Sequence, residues 1–308
     1  MAYCFKRKES VPKGIRRLGG KRIEHALEYL KKCDRAEAIH CMRKDIKKER
    51  AVIRLVRTRV PKKDFVRLTK RLREAAACLA APRDACIKAK TVRDLVGHFK
   101  GQLAPGALRH VRAELRKGCD EELKRFGEKK TKSAVERLLH GVAKRLARLN
   151  VNGKGWKALR PGVNTAYRQG QRAYRMALAD PSPENFHAWR KRAKDLWYHV
   201  RLLHPVWPEQ LEAMAGELET LGEYLGDDHD LTVLRMDIEE RAFGNAQELD
   251  IINGLIVQRQ RELRTAALAL GVRFYAEKPS TFCDRLAGYW HAWRREKKPL
   301  TRSTAGTR

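Results

Sequence analysis

Along nearly the whole chain, apolar residues recur at intervals of three and four, the period of an amphipathic helix, and turn-bounded runs of alternating β-branched residues are missing. The pattern predicts an all-α protein. In the first half it places helices near Lys13 to Lys32, Arg35 to Val60, Asp64 to Leu79, Arg83 to Lys100, Pro105 to Arg125 and Lys132 to Leu149. In the second half it places them near Val163 to Leu178, Pro183 to Leu203, Pro208 to Leu225, Asp230 to Phe243, Leu249 to Leu270 and Ser280 to Trp293. Residues 151–162, rich in Gly, Asn and Pro, read as a linker between two tandem antiparallel bundles, 1–150 and 163–293. Residues 294–308 lose apolar periodicity and read as a disordered basic tail.

The halves also repeat each other. Ile39-His40-x-x-Arg43-Lys44-x-x-Lys47 returns as Phe186-His187-x-x-Arg190-Lys191-x-x-Lys194, and at the same offset Arg54 matches Arg201 and Pro61 matches Pro208. On a helix these positions fall within an arc of roughly 100° and extend about 21 Å. His40, Arg43, Lys44, Lys47 and Arg54 therefore form one stripe, and His187, Arg190, Lys191, Lys194 and Arg201 another. Ile39, Met42, Ile46, Ile53 and Val56 supply the core face of the first helix; Phe186, Trp189, Ala193, Val200 and Leu203 supply that of the second. A solvated face would account for charge, but not for one sign. Like charges at i,i+4 cost about 0.2–0.5 kcal/mol per pair, and a polyanion along the stripe turns that repulsion into attraction. Arg17 and Lys21, and Arg168, Arg172 and Arg175, lie on the helices just before and could widen each groove. Facing stripes related by pseudo-two-fold symmetry would line a cationic channel.

Composition narrows the class of partner. The 308 residues include 68 Lys and Arg against 37 Asp and Glu, a formal net charge of +31. That excess is far beyond what solubility requires and points to an anionic partner. Seven scattered cysteines without a CxxC pair, and no secretory signal, read as reduced thiols in a cytoplasm. No stretch approaches the length of an apolar membrane span.

With the stripes, the segments Tyr167-Arg168-Gln-Gly-Gln-Arg172-Ala-Tyr-Arg175, Leu79-Ala-Ala-Pro-Arg83-Asp84 and Leu225-Gly-Asp-Asp-His229-Asp230 resemble the CHAD family, the conserved-histidine α-helical domain, and the likeness runs from about Gly14 to Trp293. The resemblance implies a pair of four-helix bundles that binds inorganic polyphosphate in a basic central groove, with some members on polyphosphate granules. Those roles carry over only to the matched stripe residues, and the chain reads as a non-catalytic binding protein without a cofactor. Some members carry a triphosphate tunnel domain marked by Glu-x-Glu-x-Lys, a motif not found in this chain.

Three other readings stand beside it. Nonspecific DNA or RNA binding follows from charge alone, although no base-reading module is visible. Trp189, Trp197, Tyr198, Tyr167 and Tyr174 could suggest base stacking but fit core packing better. His40 or His187 could serve as a phosphotransfer nucleophile, but Arg and Lys crowd the next turn. Asp227-Asp228-His229-Asp230 could hold a phosphohydrolase metal; an acidic loop whose last Asp caps the next helix, as Asp84 would in the first half, is the simpler reading.

Overall fold

The computed structural model describes residues 3–127, 129–241 and 245–296, and within them every extended element is a helix. In chain order these are α1 (Val11–Lys32), α2 (Arg35–Leu55), α3 (Lys62–Cys78), α4 (Ala80–His98), α5 (Arg109–Phe126), α6 (Lys129–Ala147), α7 (Trp156–Ala179), α8 (Pro183–Leu203), α9 (Pro208–Arg241), α10 (Ala246–Phe274) and α11 (Pro279–Arg295). Local chemistry sets several starts. Asp34 accepts the N–H groups of Ala36 and Glu37 at 2.8 and 3.0 Å to open α2, and Asn245 accepts that of Glu248 at 2.9 Å to open α10.

Helices α1, α2, α3 and α6 pack as one bundle; α7 to α10 pack in sequence as a second, with α11 against α7. The α4–α5 hairpin belongs to the first half in sequence but lies against α9 and α10. There Val92, Leu95, Phe99, Val111 and Leu115 share a core with Leu231, Leu234, Ile238, Ile252 and Ile256. The main core runs without interruption through both halves, from Ile15 and Met42 to Tyr167, Trp189 and Leu218.

Three sequence expectations change. The chain from Pro208 to Arg241 is one helix where two were expected. Its first-half counterpart does break, between Cys78 and Ala80, and Pro82 explains the difference. A proline has no N–H for the carbonyl four residues back and its ring clashes with that carbonyl, whereas the matching position in α9 is Asp228. The supposed linker 151–162 is helical from Trp156 onward. Gly153 and Gly155, at φ 95° and 53°, make the turn into it. Pro161 is tolerated inside α7 because the carbonyl of Lys157 accepts a hydrogen bond from Arg59 Nη2 at 3.0 Å instead. Finally, the cysteines are not all reduced: Cys86 and Cys119 form a disulfide between α4 and α5, with Cα atoms 4.6 Å apart. The remaining described thiols are free. Of the tail 294–308, Arg294 and Arg295 end α11, Glu296 follows it, and 297–308 lie outside the described residues.

The halves join where α2 meets α7 and α8. His199, fully buried on α8, bonds through Nε2 to the carbonyl of Ala51 at 3.0 Å. Arg54 of α2 pairs with Asp195 of α8, and the N–H of Phe5 donates to the carbonyl of Leu202 at 3.0 Å. Gly162 of α7 lies so close to the end of α2 that a Cβ there would fall 1.9 Å from the carbonyl oxygen of Leu55. Gly162→Ala should accordingly destabilise the fold by about 3 kcal/mol or more. Gly20→Ala, in open space on α1, should stabilise it by about 0.5–1 kcal/mol. Thermal melts of the two variants should move in opposite directions; equal shifts would remove the close contact from the account.

Candidate functional site

The joint between the halves brings the two basic stripes together. Lys47, half-buried on α2, lies among Arg43 of its own helix, Arg83 of α4, and Arg190 and Lys194 of α8. Burial first, then these four cations, lower its pKa to about 7. Burial likewise lowers Arg43, where Arg83, Arg50 and Arg190 add to the effect and Asp84 opposes it. Arg190 is lowered by burial and by Arg83, against Asp230 and Asp227. Lys194 is lowered by burial and Arg190, against Glu223, Glu219 and Asp227.

Counter-charge in contact is lacking. Among the described residues Arg43, Lys44, Lys47, Arg50, Arg190, Lys191 and Lys194 make no ion pair, and of the stripe cations only Arg54 does. The Nε atoms of Arg43, Arg50 and Arg190 are buried with no hydrogen-bond partner, although Arg43 Nη1 reaches the carbonyl of Ala76 at 3.0 Å. Such donors normally find a partner, because an unmade hydrogen bond to a buried charged group costs about 1–3 kcal/mol or more. Packing holds the cations in place. Gly222 and Gly226 on α9 leave room for the side chains of Lys194 and Arg190, which a Cβ would meet at 3.1 and 3.7 Å. Trp197 of α8 carries Lys194 Nζ at 5.3 Å and the Arg201 guanidinium at 4.8 Å from its ring centre.

The histidines sit at the end of the stripes nearest α4 and α9. His187 lies against His229 of α9 with ring centres 4.0 Å apart, and burial and neighbouring cations lower both. His229 falls to about 4, and His40, exposed on α2, is lowered by burial and then by Lys44, Lys47 and Arg83. Burial and the surrounding cations thus both disfavour the protonated form of these rings in the free protein.

The other expected residues lie on α1 and α7. Arg17 is taken up by Glu9, through Nε at 2.9 Å, and by the carbonyl of Cys4 at 2.9 Å. Lys21 is half-buried one turn further along α1. Arg168, Arg172 and Arg175 are exposed on α7, whose adjoining face, Tyr167, Gln171 and Tyr174, packs against the chain around Tyr275. Arg50 and Arg83 were not anticipated as site residues. Arg50 follows Lys47 by three positions on the same arc and was legible; Arg83 reaches the site from another helix.

The acidic cluster is also corrected. Asp227-Asp228-His229-Asp230 lies within α9, not in a loop, and Asp230 caps nothing. Asp84 does not cap α4, which starts at Ala80 without a side-chain cap; it accepts from Arg83 Nη1 at 2.8 Å. The helix turns Asp228 away to Arg264, at 2.6 Å, while Asp227 and Asp230 line a cavity of about 490 Å³ beside His40. No group of three or more His, Cys, Asp or Glu suited to a metal occurs among the described residues. The aromatic set is core: Trp189, Tyr167, Trp197, Tyr198 and Tyr174 are all buried.

The sequence matches the CHAD domain over residues 19–237. Among solved structures, the fold resembles the CHAD domain from the plant Ricinus communis, at a TM-score of 0.59 and 15% identity over 95% of each chain. It also resembles PptA from Streptomyces chartreusis, at a TM-score of 0.63 and 15% identity over 87% of this chain and 98% of that one. No curated protein matches.

Proposed function

The chain belongs to the CHAD domain family, which is associated with polyphosphate, and from that premise we propose that it binds inorganic polyphosphate along the cations between α2 and α8 without catalysing a reaction on it. The observation that carries this reading is the set of half-buried cations, Arg43, Lys47, Arg50, Arg190 and Lys194, held together with no ion pair among the described residues. A chain of phosphates supplies closely spaced negative charge and acceptor oxygens for every one of them. Guanidinium groups grip phosphate oxygens in a fork, and the lysines act as point charges. The ligand needs no base-stacking platform, and the aromatic residues here are committed to the core. A slender, flexible chain can follow a cleft between helices where a duplex about 20 Å across cannot enter. No helix of the described residues is long and apolar enough to cross a membrane. Residence on polyphosphate granules would follow from affinity for the polymer itself.

Arg43→Glu with Arg190→Glu should weaken polyphosphate binding by about 100-fold or more and lower the salt dependence of the affinity, with helical content unchanged. Unaltered affinity in that variant would dismiss the site.

The lowered pKa of Lys47 gives a second expectation. In the free protein Lys47 loses its proton as pH rises through about 7, and a bound polyanion favours the protonated amine, so binding takes up a proton. Affinity should fall between pH 7 and pH 9, and calorimetry in buffers of different ionisation enthalpy should report proton uptake. Lys47→Arg, charged throughout that range, should flatten the profile. A wild-type profile already flat from pH 7 to 9 would contradict the burial of Lys47 among cations. The histidine effect belongs below pH 6.5, since both His40 and His187 are lowered.

A further inference from the structure

Helix α5 sorts its charges by flank. Val111 and Leu115 enter the core beneath it. On one side, Glu114, Glu121, Glu122 and Arg125 face Asp84, Lys88, Asp237 and Arg241 across a cavity of about 300 Å³. Signs alternate there, and Lys88–Asp237, Arg125–Glu122 and Arg241–Asp237 pair. On the other side, Arg109, Arg112 and Arg116 face Lys90 and Arg93 of α4 across a groove of about 740 Å³, with Asp120 the one acid in its lining. Lys90 and Arg93 share Asp94, whereas among the described residues Arg109, Arg112 and Arg116 have no acidic partner.

The position makes this concentration costly. Arg109, His110 and Arg112 occupy the first turn of α5, which has no acidic residue, and the helix macrodipole is positive at that end. Leu108, just before it, adopts a left-handed φ of 60°. Glu248 of α10 offsets part of the charge by taking the N–H of His110 at 3.1 Å. It leaves the three arginines unpaired.

We propose that the groove between α4 and α5 is a second site for a short stretch of phosphate chain, gripped by Arg109, Arg112 and Arg116 against Lys90 and Arg93. The proposal rests on the polyphosphate reading above and adds a site outside the central stripes. Three guanidinium groups on one flank of α5 span about 10 Å, a spacing suited to successive phosphates. The floor, Ala89, Val92, Ala113 and the Cys86–Cys119 disulfide, has no side-chain amide or hydroxyl to satisfy the backbone of an acidic peptide, and no aromatic ring to stack a base. The disulfide ties the two walls together. The cavity between this groove and His40 sets Asp94, Asp227 and Asp230 beside Lys90, His98 and Arg259, so the single sign of charge is interrupted between the two cationic surfaces.

The test is a calorimetric titration of the full-length, oxidised protein with short-chain polyphosphate at fixed ionic strength. Wild type should show two classes of site. Arg43→Glu/Arg190→Glu should retain one, Arg112→Glu/Arg116→Glu should retain the other, and the fourfold variant should retain neither. Unchanged titration of Arg112→Glu/Arg116→Glu against wild type would overturn the groove. Loss of all binding in Arg43→Glu/Arg190→Glu would overturn it as well. Retention of both classes in Arg43→Glu/Arg190→Glu would instead defeat the central site and leave the groove to be judged by its own variant. ATP in place of polyphosphate should bind the groove no more tightly than an inorganic chain of equal charge; tighter binding, lost on Arg112→Glu/Arg116→Glu, would make this a nucleotide site and refute the proposal. If the charge reversals reduce helicity by circular dichroism, Arg112→Gln/Arg116→Gln removes the same grip without reversing charge, and the same outcomes decide.

Discussion

Everything in the proposed site depends on the close meeting of α2 with α7 and α8. Backbone nearly touches backbone at Gly162 and Leu55, His199 reaches across to Ala51, and Arg54 closes on Asp195. Only at that separation do Lys47 and Arg43 lie beside Arg190 and Lys194. Like charges in a cleft repel, and taking them from water adds a desolvation cost of several kcal/mol per ion in real proteins. The fold sustains it because the same helices bury Met42, Ile46, Trp189 and Val200 on their other faces, in a core continuous through both halves. Apolar packing therefore holds the crowded cations in place, and in the proposed function a polyanion would relieve their mutual repulsion.

This division of labour explains what was legible in the sequence. The α2 and α8 stripes could be read because both sides of each helix carried a pattern: apolar at helical spacing on one, a single sign of charge on the other, and each repeated in the second half. The all-α class followed from the same periodicity. Arg83 could not be read, because its place beside Lys47 depends on how α4 crosses α2. Arg168, Arg172 and Arg175 form as regular a basic run as the stripes and are exposed on α7, while Tyr167, Gln171 and Tyr174 of the same helix pack against the α10–α11 junction. Linear spacing establishes a face; only tertiary packing decides what the face meets.

The departures from internal symmetry share a cause in single residues. Pro82 breaks the first-half helix where Asp228 lets α9 continue, and that continuity places Asp227 and Asp230 on one flank with Asp228 on another. The acidic run then divides between a cavity wall and an ion pair with Arg264, so its carboxylates do not converge on one point. The Cys86–Cys119 bond was hidden by the separation of its partners in sequence, 33 residues, and emerges only once α4 and α5 fold back on each other.

The claim on which the account turns is that the cations between α2 and α8 form a cleft for a slender phosphate chain and not a general anionic surface. Labelled long-chain polyphosphate should be displaced from the protein by duplex DNA and single-stranded RNA at fixed ionic strength, each compared at equal phosphate concentration. The account predicts that neither nucleic acid competes effectively and that duplex DNA is the weaker competitor. Displacement by duplex DNA as efficient as by unlabelled polyphosphate would contradict it.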